Sequence, residues 1–429
     1  MVKTTDNLPI VAVTGTKGKT TVVKVLAQVL RGLGKNVMHV DTTGHFVNGV
    51  RRSTLDDSKR IWSLVPSVGP GRYLYEFFQN PQLLEDGIAV LESSLGSSNL
   101  SGMGYRSHKV GVFLNVFEDH MGSSDRLKTQ QDIADAKQFI FERLDDEGFA
   151  IVNADDKLVV GKLAVIPEDV SYRIIACGLN FSAISQHEVL KQGGWVVTIE
   201  NDQVIVKHAK SKKALLNVKD VIWTFNGKFL PSVYNLLFVV GASLGAFDGD
   251  LPLNFIPALK NSRLDPNDGR LVVFRSEKGV KIIADYAHEK QSLSQVGDLA
   301  KTLVTNNGRV IGVIRFAHDR TNEILQVTAK EIVKHFDSFI VYDKIDGHFR
   351  EAKKIRNKRF TQKVGYISQV VYDALKLKTD NVERILREDK ALERAAEIAQ
   401  PGDVVVHIVN DDIERSMEFI KTAFGAKLI

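Results

Sequence analysis

The segment Val13-Thr14-Gly15-Thr16-Lys17-Gly18-Lys19-Thr20-Thr21 constrains this chain more than any other. It follows a short β-branched run, Pro9 to Thr14. It opens a stretch in which Val22, Val25, Leu26, Val29, Leu30 and Leu33 recur at helical spacing before Gly34. A strand, a tight turn and an amphipathic helix in that order make a βα unit, whose helix has to bury its apolar face on a sheet. Small residues in the turn let backbone N–H groups approach anionic oxygens, and the helix N-terminus adds a favourable field. Lys19 supplies a point charge for outer phosphates, and the Thr20 hydroxyl can reach a magnesium ion. The common phosphate-loop pattern asks for Gly where Val13 stands, so the generic motif is not met. A chance Gly/Lys/Thr turn is the competing reading; the placement between strand and helix argues against it, and nucleotide binding is expected.

Strand-like runs follow at Asn36 to Val40, Ile88 to Leu91 and Val110 to Val116, and the pattern predicts one long helix from about Lys128 to Leu144. Uninterrupted apolar runs suit strands covered on both faces of a parallel sheet. From Ser171 to Thr224 the period changes to two. Trp195 to Ile199 and Val204 to Val206 flank Asn201-Asp202, a hairpin signal. A helix from Ser232 to Ala246 closes this half, and Asn261 to Gly269 reads as a linker. Beyond Arg270, a hairpin around Lys278-Gly279 joins Leu271 to Phe274 with Val280 to Ala284. Strands at Val310 to Ile314, Phe339 to Tyr342, Val382 to Leu386 and Val404 to Ile408 then alternate with helical segments. The expected class is α/β: a phosphate-loop, doubly wound domain (1–262) with an appended antiparallel sheet, then a Rossmann-like domain (263–429).

Composition narrows the function classes. A chain of 429 residues exceeds one ordinary core. No apolar run reaches the length of a membrane span, and the first residues lack the apolar stretch of a secretory signal. One cysteine, Cys177, excludes an internal disulfide framework and a thiolate metal cluster, and reads as a small buried apolar residue. The net charge of +5 is spread along the chain, so Lys207 to Lys213 and Lys353 to Arg359 read as solvated surface rather than nucleic-acid footprints. A cytoplasmic protein without nucleic-acid or membrane partners is expected.

Thr14 to Thr21 is similar to the short loop of the Mur ligase superfamily, and further segments resemble that family in its own order. Leu91-Glu92-Ser93-Ser94 resembles a strand end whose glutamate binds magnesium. Asn115-Val-Phe-Glu-Asp119-His120 and Ala136-Lys137 follow, then Asp268-Gly-Arg270, Asp285-Tyr-Ala-His288 and Asp319-Arg320. Gly69-Pro70, Gly102-Met-Gly104-Tyr105 and Asn153-Ala-Asp155-Asp156 look like the cyanophycin-synthetase branch. Two features depart from that branch. No ATP-grasp segment precedes the loop, and Gly96-Ser97-Ser98 stands where the branch tends to have Gly-Gly.

The resemblance implies ATP and magnesium as cofactors and an ATP-dependent ligase that converts a carboxylate to an acyl phosphate, which an amine then attacks. Transfer to a carboxylate accumulates negative charge, so cations and positioning carry the catalysis. It implies catalytic roles for Lys19, Lys137 and His120, with Lys137 carbamylated, since an unmodified ammonium would repel a metal. Thr20, Glu92 and His120 are the implied metal ligands. Gly15, Thr16, Lys17, Gly18, Lys19, Thr20, Thr21, Asn235, Arg270, Asp285 and His288 are the implied nucleotide contacts. Each has a plainer reading: Glu92 a solvated strand end, His120 a structural histidine, Lys137 a surface lysine, His288 a helix cap and Asp319-Arg320 an ion pair at a turn. The implied substrates are an amino acid and a peptide or polymer acceptor. The phosphate loop begins so early that no UDP-sugar-binding domain is expected before it. The segment His348-Phe-Arg350-Glu351 falls where the branch has a polar stretch near the incoming amino acid. A folylpolyglutamate-type ligase and a nucleotide-binding subunit of a larger synthetase are the alternatives, and a homo-oligomer is left open. Closure of the second domain over bound nucleotide is the expected motion.

Overall fold

β1 (Ile10–Thr14) is buried at every residue, as a β-branched run flanked by neighbours on both faces must be. The computed structural model describes residues 8–52, 66–97, 102–118, 126–317, 320–343, 363–410 and 412–429. It divides into two units, Met1–Leu264 and Asp265–Ile429.

In the first unit β1 lies inside a sheet with β2 (Asn36–Asp41), β3 (Gly44–Val47), β4 (Val50–Arg52), β5 (Gly87–Glu92), β6 (His108–Phe113), β7 (Leu144–Asn153), β8 (Tyr172–Cys177), β9 (Trp195–Glu200), β10 (Gln203–His208) and β11 (Ser211–Asn217). The order is β11-β10-β9-β8-β7-β6-β1-β5-β2-β3-β4. Strands β2 through β9 in that order pair in parallel. The chain runs from β1 outward to β2 on one side, and β6 lies on the other. The carboxyl end of β1 is therefore a topological switch point, where open α/β sheets leave a crevice.

One face of the sheet is covered by the helices Lys19–Gly32 and Leu230–Ala246, which bring Val22, Leu26, Leu236 and Val240 against Val11 and Val112. The other face carries Phe77, Phe113, Ile140 and Phe141. Each such side chain contributes roughly 2 kcal/mol by leaving water. Cys177 is fully buried, as expected of a small apolar residue.

The expected long helix over 128–144 does not form. A helix at Gln130–Lys137, started by a Thr129/Asp132 capping box, is followed by the short turn of helix Phe139–Glu142, and Leu144 already begins β7. Phe139, Ile140 and Phe141 are all buried. Three consecutive buried residues exceed the single apolar face of an amphipathic helix, so the chain bends and packs them from several sides. β6 also stops at Phe113 rather than Val116, because Leu114 and Asn115 turn toward the phosphate loop.

The hairpin β9–β10 forms at the expected place. Asn201 and Asp202 have φ of 49° and 61°, the two left-handed positions of a type I′ turn. At the opposite edge β2, β3 and β4 make an antiparallel ribbon that the sequence pattern did not announce.

The second unit holds β12 (Val272–Arg275), β13 (Lys281–Asp285), β14 (Val310–Ile314), β15 (Ser338–Val341), β16 (Val382–Arg384), β17 (Val404–Ile408) and β18 (Lys427–Leu428), ordered β16-β15-β14-β17-β13-β12-β18. β12 and β13 are the expected hairpin, with Gly279 at φ 84° in its turn. β18 adds an antiparallel edge strand, and the remaining neighbours are parallel.

Candidate nucleotide-binding site

The loop after β1 is shaped by two glycines and one asparagine. Gly15 has φ 147°, and a Cβ there would stand 2.8 Å from Leu114 Cβ; Gly18 has φ 87°, and a Cβ would stand 2.5 Å from Asn235 Oδ1. Neither position admits a side chain. Asn115 holds the loop from below. Its Oδ1 accepts from Thr16 N at 3.1 Å and Lys17 N at 2.9 Å, and its Nδ2 donates to Lys17 O at 3.1 Å. Phe117 N donates to Thr16 Oγ1 at 3.0 Å. The helix Lys19–Gly32 starts at Gly18 with no side-chain cap, which leaves first-turn N–H groups for an anionic ligand.

Lys19 folds back over this loop, donating to Gly15 O at 3.0 Å and Thr16 O at 3.1 Å. Thr20 Oγ1 donates to Glu92 Oε2 at 2.9 Å, and Thr42 N reaches the same oxygen at 3.3 Å. Glu92 is 1% exposed, so it is not a solvated strand end. Its other oxygen, Oε1, is buried and has no hydrogen-bond partner. An ionised carboxylate oxygen in that condition is costly unless a cation or a proton meets it. A carboxylate and a hydroxyl are the hard oxygen donors that magnesium takes, so Thr20 and Glu92 fit the ion that the phosphate loop implies. Among the described residues no group of three or more His, Cys, Asp or Glu could hold a metal. The third ligand implied above, His120, lies outside the described residues with Asp119, as do Asp319 and the His348–Glu351 segment.

Asn235, on the helix Leu230–Ala246, touches the loop at Gly18. Its neighbour Tyr234 donates to Asp155 Oδ2 at 2.8 Å, and Asp155 also receives Leu179 N, Asn180 N and Ser182 N. Burial pushes Asp155 up, but these donors outweigh it and hold the carboxyl below its usual range. Asp156, beside it, accepts from Val116 N at 2.8 Å and so anchors the segment that carries Asn115. Thr21 follows Thr20 in the first helical turn and is half-buried.

Lys137 ends the helix Gln130–Lys137 with 2% exposure. The surface-lysine reading is therefore corrected: the amine is inside the protein. In the second unit Gly269 (φ 61°) and Leu271 (φ 51°) bend the chain sharply on either side of Arg270. Leu271 N donates to Asp285 Oδ2 at 2.9 Å, which brings Arg270 beside the end of β13. His288 does not cap a helix; Glu289 does, and His288 Nδ1 instead lies 2.9 Å from Tyr286 O. Tyr286 packs edge-on against His288 and carries the buried Arg315 guanidinium over its ring at 4.8 Å. Arg315 in turn donates to Val409 O. The first unit thus gathers Gly15 to Thr21, Glu92 and Asn235; in the second, Arg270 lies next to the residue that bonds Asp285, and His288 packs on Tyr286. Sequence reasoning gave no role to Asn115 or to the buried Asp41. Burial raises the carboxyl of Asp41 above its usual range, with Lys24 opposing and Glu92 adding to the effect.

Comparison with known proteins follows the same two units. Residues 13–242 match the Mur ligase middle domain and residues 269–408 match the glutamate ligase domain of the Mur ligases. A cyanophycin synthetase of Nostoc sp. is 27% identical over 96% of this chain, and the chain spans 42% of that relative's length. The UDP-N-acetylmuramoyl-L-alanyl-D-glutamate–2,6-diaminopimelate ligase of Parabacteroides distasonis is 26% identical over 93% of this chain and 72% of its own. Among solved structures, E. coli FolC in complex with DHPP and ADP has the same fold, with a TM-score of 0.61, 18% identity and coverage of 97% of this chain and 89% of its own. No helix among the described residues is long and apolar enough to cross a membrane. The first domain match alone spans more than half of the sequence, contains the loop, Glu92 and Asn235 in one sheet-end crevice, and is followed by the second in the expected order: the chain belongs to the Mur ligase family.

Proposed function

We propose that this chain is an ATP-dependent, ADP-forming carboxylate–amine ligase that joins an amino acid to a peptide or polymer carboxylate. The observation that carries the reading is the unpartnered, buried Oε1 of Glu92 beside a glycine-shaped anion loop. Triphosphate oxygens would lie on the loop N–H groups and Lys19, with Asn235 at the loop's rim. Thr20 and Glu92 would hold magnesium, joined by His120 as the family resemblance implies. The ion, when bound, neutralises phosphate charge during transfer. In the second unit Arg270, Asp285 and His288 are assigned to the nucleotide.

Lys137 is proposed to act as a carbamate. Its burial supports this, because a side chain 2% exposed at a helix end is placed for an interior role rather than for the surface. A carbamate also restores an anion where an ammonium would oppose a metal. Cytoplasmic action without nucleic acid or membrane is part of the reading.

The test is release of ADP and phosphate by purified protein across a panel of amino acids. Each amino acid is supplied with and without acidic peptides and bicarbonate. Turnover that requires both an amino acid and a carboxylate acceptor supports the ligase. Turnover that appears only with a second protein would point to a synthetase subunit. No nucleotide cleavage under any combination overturns the proposal.

A further inference from the structure

Glu92 receives hydrogen bonds on one oxygen only, and one of the two donors, the Thr42 amide, sits on the turn between β2 and β3. That turn is built on Asp41. Asp41 Oδ1 accepts from Thr43 N at 2.7 Å and from Thr43 Oγ1 at 2.6 Å. These two bonds close the backbone around Thr42 and aim its N–H outward. The pairing of β2 with β5 places Val40 beside Leu91, so Asp41 and Glu92 leave neighbouring strands at the same level. Asp41 is fully buried. Its second oxygen, Oδ2, carries no hydrogen bond and lies 4.0 Å from Lys24 Nζ and 3.7 Å from His39 Nε2.

What makes this turn is an acceptor oxygen at position 41, and burying a carboxylate to supply it carries a desolvation cost. Lys24, one helical turn beyond Thr20, offsets part of that cost. The arrangement ties the turn to the helix that starts at the phosphate loop.

We infer that Asp41 is a positioning residue for Glu92, an inference that rests on the magnesium–nucleotide reading above. Asp41 fixes the Thr42 N–H, which together with the Thr20 hydroxyl holds Oε2 of Glu92. The carboxylate plane is thereby set, and Oε1 is the oxygen presented to the cation. Without the Thr42 donor the Thr20 hydroxyl alone holds the carboxylate, its plane is free to turn about the last torsion, and neither oxygen is fixed toward the cation. Loss of an outer-shell partner of this kind costs about tenfold or more in metal affinity.

The experiment titrates Mn2+ into the full chain with saturating ADP, following free Mn2+ by electron paramagnetic resonance, and separately measures ADP binding in EDTA. Asp41→Ala should weaken Mn2+ about tenfold while leaving metal-free ADP binding within about twofold. Asp41→Asn, which keeps an oxygen for Thr43, should stay within about threefold of the parent protein. Should the alanine variant fail to fold, Thr43→Val, which removes the shorter bond and keeps the backbone one, should weaken Mn2+ by about two- to threefold. A variant curve that superimposes on the parent's overturns the positioning role alone, as does an asparagine variant as impaired as the alanine one. A parent protein that binds no Mn2+ with ADP overturns the nucleotide-site reading and this inference with it.

Discussion

Glu92 in the first unit and Glu388 in the second are equally buried, at 1% exposure each, and their surroundings differ in kind. Glu388 Oε1 accepts from His407 Nε2 at 3.0 Å and from Ser416 Oγ at 2.5 Å. Burial pushes its carboxyl up, but the histidine and the hydroxyl outweigh it and hold it below the usual range. Its partners come from a strand and a helix of the same core, so the charge is absorbed by structure. Glu92 has a threonine hydroxyl and one amide, both on Oε2, and its Oε1 is buried without a hydrogen-bond partner. A buried carboxylate whose partners are all supplied by the fold stabilises the fold. One with an oxygen that is both buried and unpartnered, as Glu92 has and Glu388 has not, is poised for a ligand at its sheet end.

The comparison can be broken most directly by neutralising each carboxylate. Glu92→Gln should lower ATP turnover by about a hundred- to thousandfold, with an unfolding midpoint close to the parent's, because Oε1 makes no hydrogen bond for the substitution to remove. A fall in stability with activity retained would make Glu92 a structural residue. Glu388→Ala should do the reverse. Loss of the carboxylate from a buried pair should cost about 3 kcal/mol in urea unfolding, while the protein still folded binds ADP with unchanged affinity. Weakened ADP binding at full stability would move Glu388 into the site.

Acid sharpens the contrast with a smaller effect. Burial is the main reason that His108 is pushed down to about 4, with Arg143 adding to it and its bond to Ile140 O opposing. Its neutral form is kept in the fold while the unfolded chain takes up a proton near the ordinary histidine value. Stability from this site is therefore complete above about pH 6.5 and declines as pH falls, by about 2 kcal/mol at pH 5. Glu388 behaves otherwise. With its carboxyl depressed, its contribution is complete above the ordinary glutamate value and is lost only as pH falls through the depressed one. Between pH 7.5 and 5 the first unit should therefore lose stability to His108 before Glu388 contributes any loss in the second. In the parent protein the urea midpoint should fall over that interval, and His108→Gln should flatten the fall. An unchanged slope in the variant would remove His108 from the account.

Much of the scaffold could be read from local pattern. The β-branched run before Gly15, the helical recurrence from Val22 to Leu33 and the Asn201-Asp202 turn each report on neighbours a few residues away, and each element formed where expected. Pattern failed where packing overrode it. Phe139 to Phe141 looked like the continuation of a helix because their burial on several sides depends on strands elsewhere in the chain. Lys137 looked exposed for the same reason: a lysine at the end of a polar helix is buried only by what the rest of the fold places over it. The ribbon β2–β3–β4 has no such local signal beyond the run Asn36 to Val40, and its bond from Thr42 N to Glu92 spans 50 positions of sequence.

The sequence by itself determined the phosphate loop, the two α/β units, their order and the resemblance to a ligase family, because these are written in periodicity, glycine placement and short motifs. Only the tertiary structure decided that Asn115 clamps a loop some hundred residues before it, that Lys137 is inside, and that one oxygen of Glu92 has donors while the other has none. Those outcomes depend on which groups meet across strands that are distant in sequence. Hydrogen bonding and desolvation act at about 3 Å, a range that linear order does not reveal.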